Sequence, residues 1–245
     1  MRASLWLCVL VPTALASQQP GRKIEGELSG NLFFGNTQQV LASTRAEFER
    51  ADSGSAFRTI GRFNYGETTT DLTGTIVSKR SWNAGSNYDY RPFADFTPFV
   101  RAGFESSLEN RIDRRYSVGA GSRYNIVRTT ATDAIVSVGV AGEQTVSLPP
   151  GDSAGATTLA RATTSLRLRR DFTPRVTFTS ETSYQPALTT GNDYTILSIN
   201  ALKMRIARFA ALTLTFRDNY DSRAVTRGAR VNNDGELLVG LLTTF

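Results

Sequence analysis

Histidine is missing from this 245-residue chain, and cysteine occurs once, at Cys8. Without histidine the chain cannot form a Ser-His-Asp or Cys-His nucleophile, and it lacks the commonest metal ligand and the usual general base near neutral pH. The sequence also has no apolar run long enough for a helix to cross a bilayer. These absences exclude the familiar hydrolase sites and a helical membrane protein, so we expect a non-enzymatic protein with no catalytic residues, cofactor or metal.

The N-terminal stretch MRASLWLCVLVPTALAS predicts export from the cytoplasm. A positive charge precedes a short apolar region, and small residues up to Ala16 form a cleavage site, which is the pattern of a secretory signal peptide. We expect residues 1–16 to be the signal peptide and residues 17–245 to be one mature domain, which then contains no cysteine and no disulfide. The alternative is a lipoprotein signal that ends at Cys8, although almost no apolar region precedes this cysteine.

Apolar and polar residues alternate through the remaining sequence, and this is the period of a β-strand. Tyr116, Val118 and Tyr124, for example, lie on one face of their segment. Arg115, Ser117 and Arg123 lie on the other, so this segment has one apolar and one polar face. In the tenth such segment the apolar parity changes near Asn200, which predicts a bulge or a misplaced boundary. The alternation predicts twelve strands, near residues 23–34, 38–49, 56–66, 75–89, 96–107, 114–126, 133–144, 159–170, 175–185, 193–206, 211–221 and 235–245.

The lengths of the connections predict how these strands are arranged. Connections after the even-numbered strands are short, whereas those over residues 67–74, 145–158 and 222–234 are longer. An even number of strands, with short turns at one end and long loops at the other, is typical of an outer-membrane β-barrel. A soluble β-sandwich would also alternate, but it requires no such order of loop lengths. We therefore predict an all-β fold, a single antiparallel transmembrane β-barrel of about 12 strands in the outer membrane of a Gram-negative envelope.

The C-terminal stretch ELLVGLLTTF predicts the last strand of this barrel. Val239, Leu241 and Phe245 lie on one apolar face that ends in an aromatic ring, and aromatic residues form girdles at both membrane interfaces. This ending is similar to the signal that the barrel-assembly machinery reads, and the alternative is an apolar terminus that arose by chance. We expect this machinery, periplasmic chaperones and outer-membrane lipids to be the partners of the chain.

Three stretches of the sequence resemble a known family. They are KIEGELSGNLFFGNTQQVLASTRAEF, FTPFVRAGFESSLENRIDRRYSVGAGSRYNIV and LTLTFRDNYDSRAVTRGARVNNDGELLVGLLTTF. They are similar to the first hairpin, the middle pair of strands and the closing hairpin of the YdiY-like domain of unknown function, labelled a salt-induced outer-membrane protein. The resemblance implies an outer-membrane location and an association with salt or osmotic stress. It implies no biochemical activity, because the family has no agreed one.

The polar faces of the strands carry more basic than acidic residues, and they predict the character of the barrel interior. Eight strands leave an interior that side chains fill, and sixteen to eighteen leave a channel, so about twelve lies between these cases. Arginine and glutamate could pair and fill the lumen, or the excess of arginine could favour anions in a narrow pore for small solutes. The lumen-facing charges that we predict are Arg58, Arg62, Arg101, Glu105, Arg123, Arg167, Arg169 and Glu181.

Other readings of the charged residues are less well supported by their spacing. The net charge of +6 could indicate nucleic-acid binding, but the arginines are dispersed at strand spacing and form no basic stripe, so we expect no nucleic-acid partner. Glu47 and Glu49 could form a carboxylate pair, but Arg45 lies on the same face and favours ion pairing. The Asp and Asn groups at 191–193 and 232–235 lack the spacing of a calcium loop and predict turns.

Overall fold

The structure, a computed structural model, describes residues 21–33, 38–70, 74–148 and 156–244. Among these residues, no helix is both long enough and apolar enough to cross a bilayer. A short 3₁₀ helix, Val225–Arg227, lies between the last two strands. The strands are β1 (Arg22–Phe33), β2 (Gln38–Ala51), β3 (Ser55–Thr70), β4 (Gly74–Tyr90), β5 (Phe96–Ser107), β6 (Ile112–Arg128), β7 (Thr132–Ser147), β8 (Ala156–Thr173), β9 (Val176–Pro186), β10 (Tyr194–Arg205), β11 (Ala210–Asp221) and β12 (Asn233–Thr244).

The twelve strands form one closed antiparallel barrel. Each strand pairs with its neighbours in sequence, and β1 pairs with β12, with Leu28 opposite Leu241 and Gly30 opposite Val239. Closure gives every strand a partner on both sides, which hydrocarbon demands because it offers no other hydrogen bonds to the backbone. The prediction of an all-β, 12-stranded barrel is confirmed. The predicted signal peptide and Phe245 lie outside the described residues.

The two ends of the barrel differ in their connections. Five turns of two to five residues join β2 to β3, β4 to β5, β6 to β7, β8 to β9 and β10 to β11, at the end where β1 begins and β12 ends. We call this the terminal end and the opposite one the loop end. Connections at the loop end include residues 187–193 and residues 222–232. Short turns face the periplasm in outer-membrane barrels, so the terminal end is the periplasmic one.

One predicted long connection is wrong. β3 continues to Thr70 and β4 begins at Gly74, so most of the connection predicted over residues 67–74 is strand. Threonine is β-branched and favours extended backbone, and the hydroxyls of Thr69 and Thr75 lie 2.8 Å apart across the two strands. The polar residues of this segment therefore belong to two paired strands and not to a loop.

The bulge predicted near Asn200 is also wrong. β10 pairs with β9 and with β11 without any shift of register. The parity changes because Ser198 and Asn200 lie on the outward face, whereas Leu197 and Ile199 face inward. The Ser180 hydroxyl donates to Oδ1 of Asn200 at 2.8 Å, and Nδ2 of Asn200 donates to Ser198 at 3.1 Å. These hydrogen bonds satisfy the outward amide, so the backbone has no need to bulge.

A turn at the terminal end shows how the short connections are fixed. Oδ1 of Asp52 accepts hydrogen bonds from the backbone N–H of Gly54 at 2.9 Å and of Ser55 at 2.8 Å. The donation by Ser55, and then by Gly54, lowers the pKa of Asp52 below its usual value. This is an Asx turn, which orders the backbone with a side chain of its own segment. The connection between β2 and β3 is therefore compact.

The outward face of the barrel is an apolar belt with aromatic residues towards both ends. Val118, Val239 and Leu241 are among its exposed apolar side chains. The rings of Phe48 and Phe57 approach to 6.5 Å near the terminal end. Near the loop end Tyr194 stacks on Tyr220 at 5.5 Å and lies 5.9 Å from Tyr184. Two aromatic zones that flank an apolar belt are the lipid-facing surface of an outer-membrane barrel.

One aromatic residue instead packs against the inner wall. Phe99 is buried, and its ring lies beside Gly121, which is opposite it on β6. A Cβ atom on Gly121 would lie 2.8 Å from Cζ of Phe99 and 2.2 Å from the carbonyl oxygen of Val138. The Arg123 guanidinium lies over the same ring, 4.9 Å from its centroid. A glycine at position 121 therefore makes room for a ring that holds an arginine in the lumen.

We expect Gly121→Ala to destabilise the folded barrel by about 1–3 kcal/mol, because the new methyl group would overlap both the ring and a backbone carbonyl. The measurement is the temperature at which the compact band of refolded protein converts to the unfolded band on a denaturing gel. The matched control is Gly142→Ala on β7, where nothing lies within 4 Å of the added Cβ. Equal transition temperatures for the two variants would contradict this packing role.

Candidate functional site

A network of ion pairs crosses the lumen near the loop end. Nη2 of Arg115 on β6 lies 3.1 Å from Oδ2 of Asp221 on β11, and four strands separate β6 from β11 by the shorter path around the barrel. Nη1 of Arg115 also lies 3.2 Å from Oε2 of Glu105 on β5. Because the partners belong to different sides of the wall, these contacts span the interior rather than line it.

A second arginine extends this network along the wall. Nε of Arg161 on β8 lies 3.0 Å from Oε2 of Glu143, and Nη2 lies 2.8 Å from Oδ1 of Asp193. Oε1 of Glu143 is also 3.5 Å from Nε of Arg115. A continuous series of ion pairs therefore runs from Asp221 through Arg115, Glu143 and Arg161 to Asp193. The side chain of Arg161 is only 3% exposed, and its remaining nitrogen donates to the carbonyl of Gln185 at 3.2 Å.

The connection between β11 and β12 folds inward and joins the network. Nη2 of Arg227, in the 3₁₀ helix, lies 2.5 Å from Oδ2 of Asp221, and Nε donates to the carbonyl oxygen of Asn110 at 3.1 Å. Ala224, just before the helix, is fully buried. Oδ1 of Asp221 accepts from the backbone N–H of Arg223 at 2.9 Å. Asp221 thus binds two arginines and the start of the loop, with its side chain 2% exposed.

A second cluster fills the lumen beside this network. Nζ of Lys79 on β4 lies 2.7 Å from Oδ2 of Asp234 and 3.0 Å from Oε2 of Glu236 on β12, with three strands between β4 and β12. Nη1 of Arg217 is 3.6 Å from Oε1 of Glu236. The cavity beside them, also lined by Asn219, measures about 10 Å³, which is room for about one water molecule. The loop end of the lumen is therefore packed with charged side chains.

The terminal half of the lumen is solvated instead. Nε of Arg58 lies 2.6 Å from Oε1 of Glu47, and Nη2 of Arg167 lies 3.0 Å from Oε2 of Glu181. These pairs join neighbouring strands, and the Arg58, Arg167 and Glu181 side chains are 35%, 37% and 48% exposed. Arg169, nearer the rim, is 57% exposed and pairs with Asp171 at 3.1 Å. The interior therefore opens towards the terminal end.

The structure places the predicted lumen-facing charges at different depths. Glu105 joins the packed loop end through Arg115. Arg62 lies between the two halves, within electrostatic reach of Arg217 and Arg45. Neither Arg62 nor Arg101 makes a hydrogen bond or an ion pair with another described residue. The charges that lie in the solvated half are Arg58, Arg101, Arg123, Arg167, Arg169 and Glu181.

Sequence reasoning missed the residues that the loop-end connections supply. Asp193 and Asp234 belong to the groups read as turn formers, yet they bind Arg161 and Lys79. Asp221 and Arg227 were in no predicted site. The excess of basic over acidic residues on the strands was the available signal, because charges confined in a lumen need partners from elsewhere. Among the described residues, no group of three His, Cys, Asp or Glu side chains could hold a metal ion.

Two solved structures are similar to this chain. The chain is similar to the NanC porin, with a TM-score of 0.50 and 9% identity over 91% of this chain and 98% of that chain. It is also similar to the translocator domain of the autotransporter NalP from Neisseria meningitidis, with a TM-score of 0.49 and 10% identity over 94% of this chain and 91% of that chain. No curated protein sequence matches the chain.

A closed barrel of twelve strands, with an apolar outer belt between aromatic zones, is the architecture of outer-membrane proteins. The chain is therefore an outer-membrane β-barrel. The family model described as "Protein of unknown function, DUF481" matches residues 26–245, which is nearly the whole of the described barrel. The chain belongs to the DUF481 family.

Proposed function

We propose that this protein is a non-enzymatic barrel whose lumen is closed at its outer end, with a structural or envelope-stress role rather than that of an open pore. The observation that carries the proposal is the Arg115–Asp221 contact across the lumen, which Arg227 ties to the inward-folded loop. The short turns face the periplasm. The packed half then faces the exterior, and the solvated half faces the periplasm.

The energetics of buried charge support a stable closure. Removing one partner of a buried ion pair costs about 3–5 kcal/mol, since the remaining charge is left without solvent or partner. Asp221 holds two arginines, and Arg115 holds three carboxylates, so opening the lumen would strand several charges together. A barrel of this kind adds a folded, membrane-spanning wall without a path for solutes. This fits the salt or osmotic association that the family resemblance implies.

A narrow pore that prefers anions is the second candidate. The solvated half of the lumen contains the unpaired Arg101 and several exposed arginines, and such charges set ion preference in a confined channel. Conduction would require the loop between β11 and β12 to leave the lumen together with Arg227. The contacts of Asp221 oppose this movement, so we favour the closed barrel.

We expect refolded wild-type protein to give no resolvable current in a planar lipid bilayer. We expect Asp221→Asn to give discrete channel openings, because it weakens the hold on both Arg115 and Arg227. The matched control is Asp218→Asn, on the same strand but on the opposite face. A large, stable conductance from the wild type would overturn the closed barrel. An Asp221→Asn variant without channel openings would show that Asp221 does not hold the lumen closed.

We expect Arg161→Leu to destabilise the barrel by about 3–5 kcal/mol, because it leaves Glu143 and Asp193 without their buried partner. Arg169→Leu, on the same face of β8, should change stability by less than about 1 kcal/mol, since Arg169 is solvent-exposed. Urea-induced unfolding of both variants in lipid vesicles, followed by tryptophan fluorescence, measures the difference. Similar midpoints for the two variants would show that the buried network contributes little.

A further inference from the structure

The solvated half of the lumen contains a row of polar residues in register around Asn87. Arg58 on β3 and Arg101 on β5 lie directly opposite Asn87 on β4, one on each side. Residues opposite each other on neighbouring strands point to the same face, and strands are about 4.8 Å apart. The Cα atoms of the two arginines are then about 10 Å apart. The Arg58 guanidinium binds Glu47 on β2, on the side away from Asn87, so Arg101 is the arginine that is free to face the space beside Asn87.

A third arginine joins this row and is held rigidly. Nη2 of Arg123 donates to Oδ1 of Asn87 at 2.9 Å, and Nη1 binds Asp89. The same guanidinium lies over the buried Phe99 ring. Nδ2 of Asn87 donates to Oδ1 of Asp89 at 2.7 Å. The wall around Asn87 is therefore ordered before any ligand arrives, which reduces the entropy lost on binding.

The carboxylates of this region leave one arginine without a partner. Glu47 pairs with Arg58, Asp89 pairs with Arg123, and Glu181 on the opposite wall pairs with Arg167. Arg101 makes no hydrogen bond or ion pair with any described residue. It lies within electrostatic reach of Arg123, a like charge, and of Glu181, which is also within reach of Arg58 and Arg123. Four arginines therefore face three carboxylates, and a small anion beside Arg101 would balance the remaining positive charge.

The space is reached from the periplasmic side. The Arg58 and Arg167 side chains are each about one-third exposed, whereas Arg161 and Asp221, at the loop end, are nearly inaccessible. Arginine presents paired N–H donors that match the oxygens of phosphate and carboxylate groups. A ligand for this site is therefore a small oxyanion that diffuses in from the periplasm.

We propose that the space beside Asn87 binds a small oxyanion of the phosphate or carboxylate class. Arg101 contacts its oxygens directly, and Arg123 holds Asn87 in place beside it. The proposal assigns a ligand-binding site to the solvated half of the barrel. This proposal rests on the closed barrel proposed above only for the side from which the anion enters the lumen. The binding itself does not depend on whether the loop end ever opens.

Isothermal titration calorimetry of the refolded protein in a zwitterionic detergent at low ionic strength tests the site. Inorganic phosphate is the probe in one titration and succinate in a second, so the response of each identifies the class of ligand. We expect one saturable site per chain for at least one of them, and an affinity that falls as sodium chloride is added. Absence of saturable binding of either anion by the wild type would overturn the proposal.

Arg101→Gln should weaken the binding at least tenfold, because a charge-assisted pair of donors is lost. Arg101→Lys keeps the charge but not the paired donors and should give an intermediate loss. Arg169→Gln, at the rim and already paired with Asp171, is the control and should bind like the wild type. Heat-dependent gel migration establishes that each variant is folded. Wild-type affinity in both Arg101 variants would exclude this arginine as a ligand.

The outcome of the binding test is independent of the outcome of the conductance test. A wild-type barrel that conducts would contradict the closed lumen, yet saturable and Arg101-dependent binding of phosphate or succinate would still establish the site. Conversely, a silent barrel that binds neither anion would leave the closed lumen intact and remove the site.

Discussion

The need to pair every backbone N–H and C=O group inside hydrocarbon determines this structure. A sheet in lipid can meet that need only by closing on itself, and the β1–β12 ladder completes the ring. Closure then divides the side chains of every strand into two sets, one for lipid and one for the interior. Within the apolar belt, a polar residue on the outward face is stabilised by hydrogen bonds to its neighbours, as Asn200 is by Ser180 and Ser198.

The charged side chains that face the interior must then be stabilised away from bulk water. Charged side chains in a lumen exchange water for one another, and they are stable there only with partners at short distance. Twelve strands make the ring too wide for neighbouring side chains to fill by themselves. Arg115 and Lys79 reach across instead, to Asp221 on β11 and to Glu236 on β12. The connection between β11 and β12 folds inward and adds Arg227, which binds Asp221.

Much of the wall could be predicted from the sequence, because period two is a local property of each strand. It gave all twelve strands with boundaries close to those observed, and it gave their inward and outward faces. The alternation gave wrong predictions where a polar residue in the sequence does not indicate a loop or a bulge. The threonines around Thr69 are polar yet form strand, and the parity change at Asn200 is one of side-chain chemistry rather than of backbone path. The cross-lumen pairs, such as Arg115 with Asp221, depend on how strands far apart in sequence face each other, and alternation contains no such information.

The difference between the two ends follows from the lengths of the connections. The five connections at the terminal end have two to five residues, too few to fold back into the lumen. At the loop end, residues 187–193 and 222–232 bring in Asp193 and Arg227, which reach the charges on the wall. The packing of the outer half is therefore a consequence of acidic and basic residues that only longer connections can deliver. The arginines of the inner half pair with carboxylates on the same or nearby strands, and Arg101 is left to water or to an anion that enters from the periplasm.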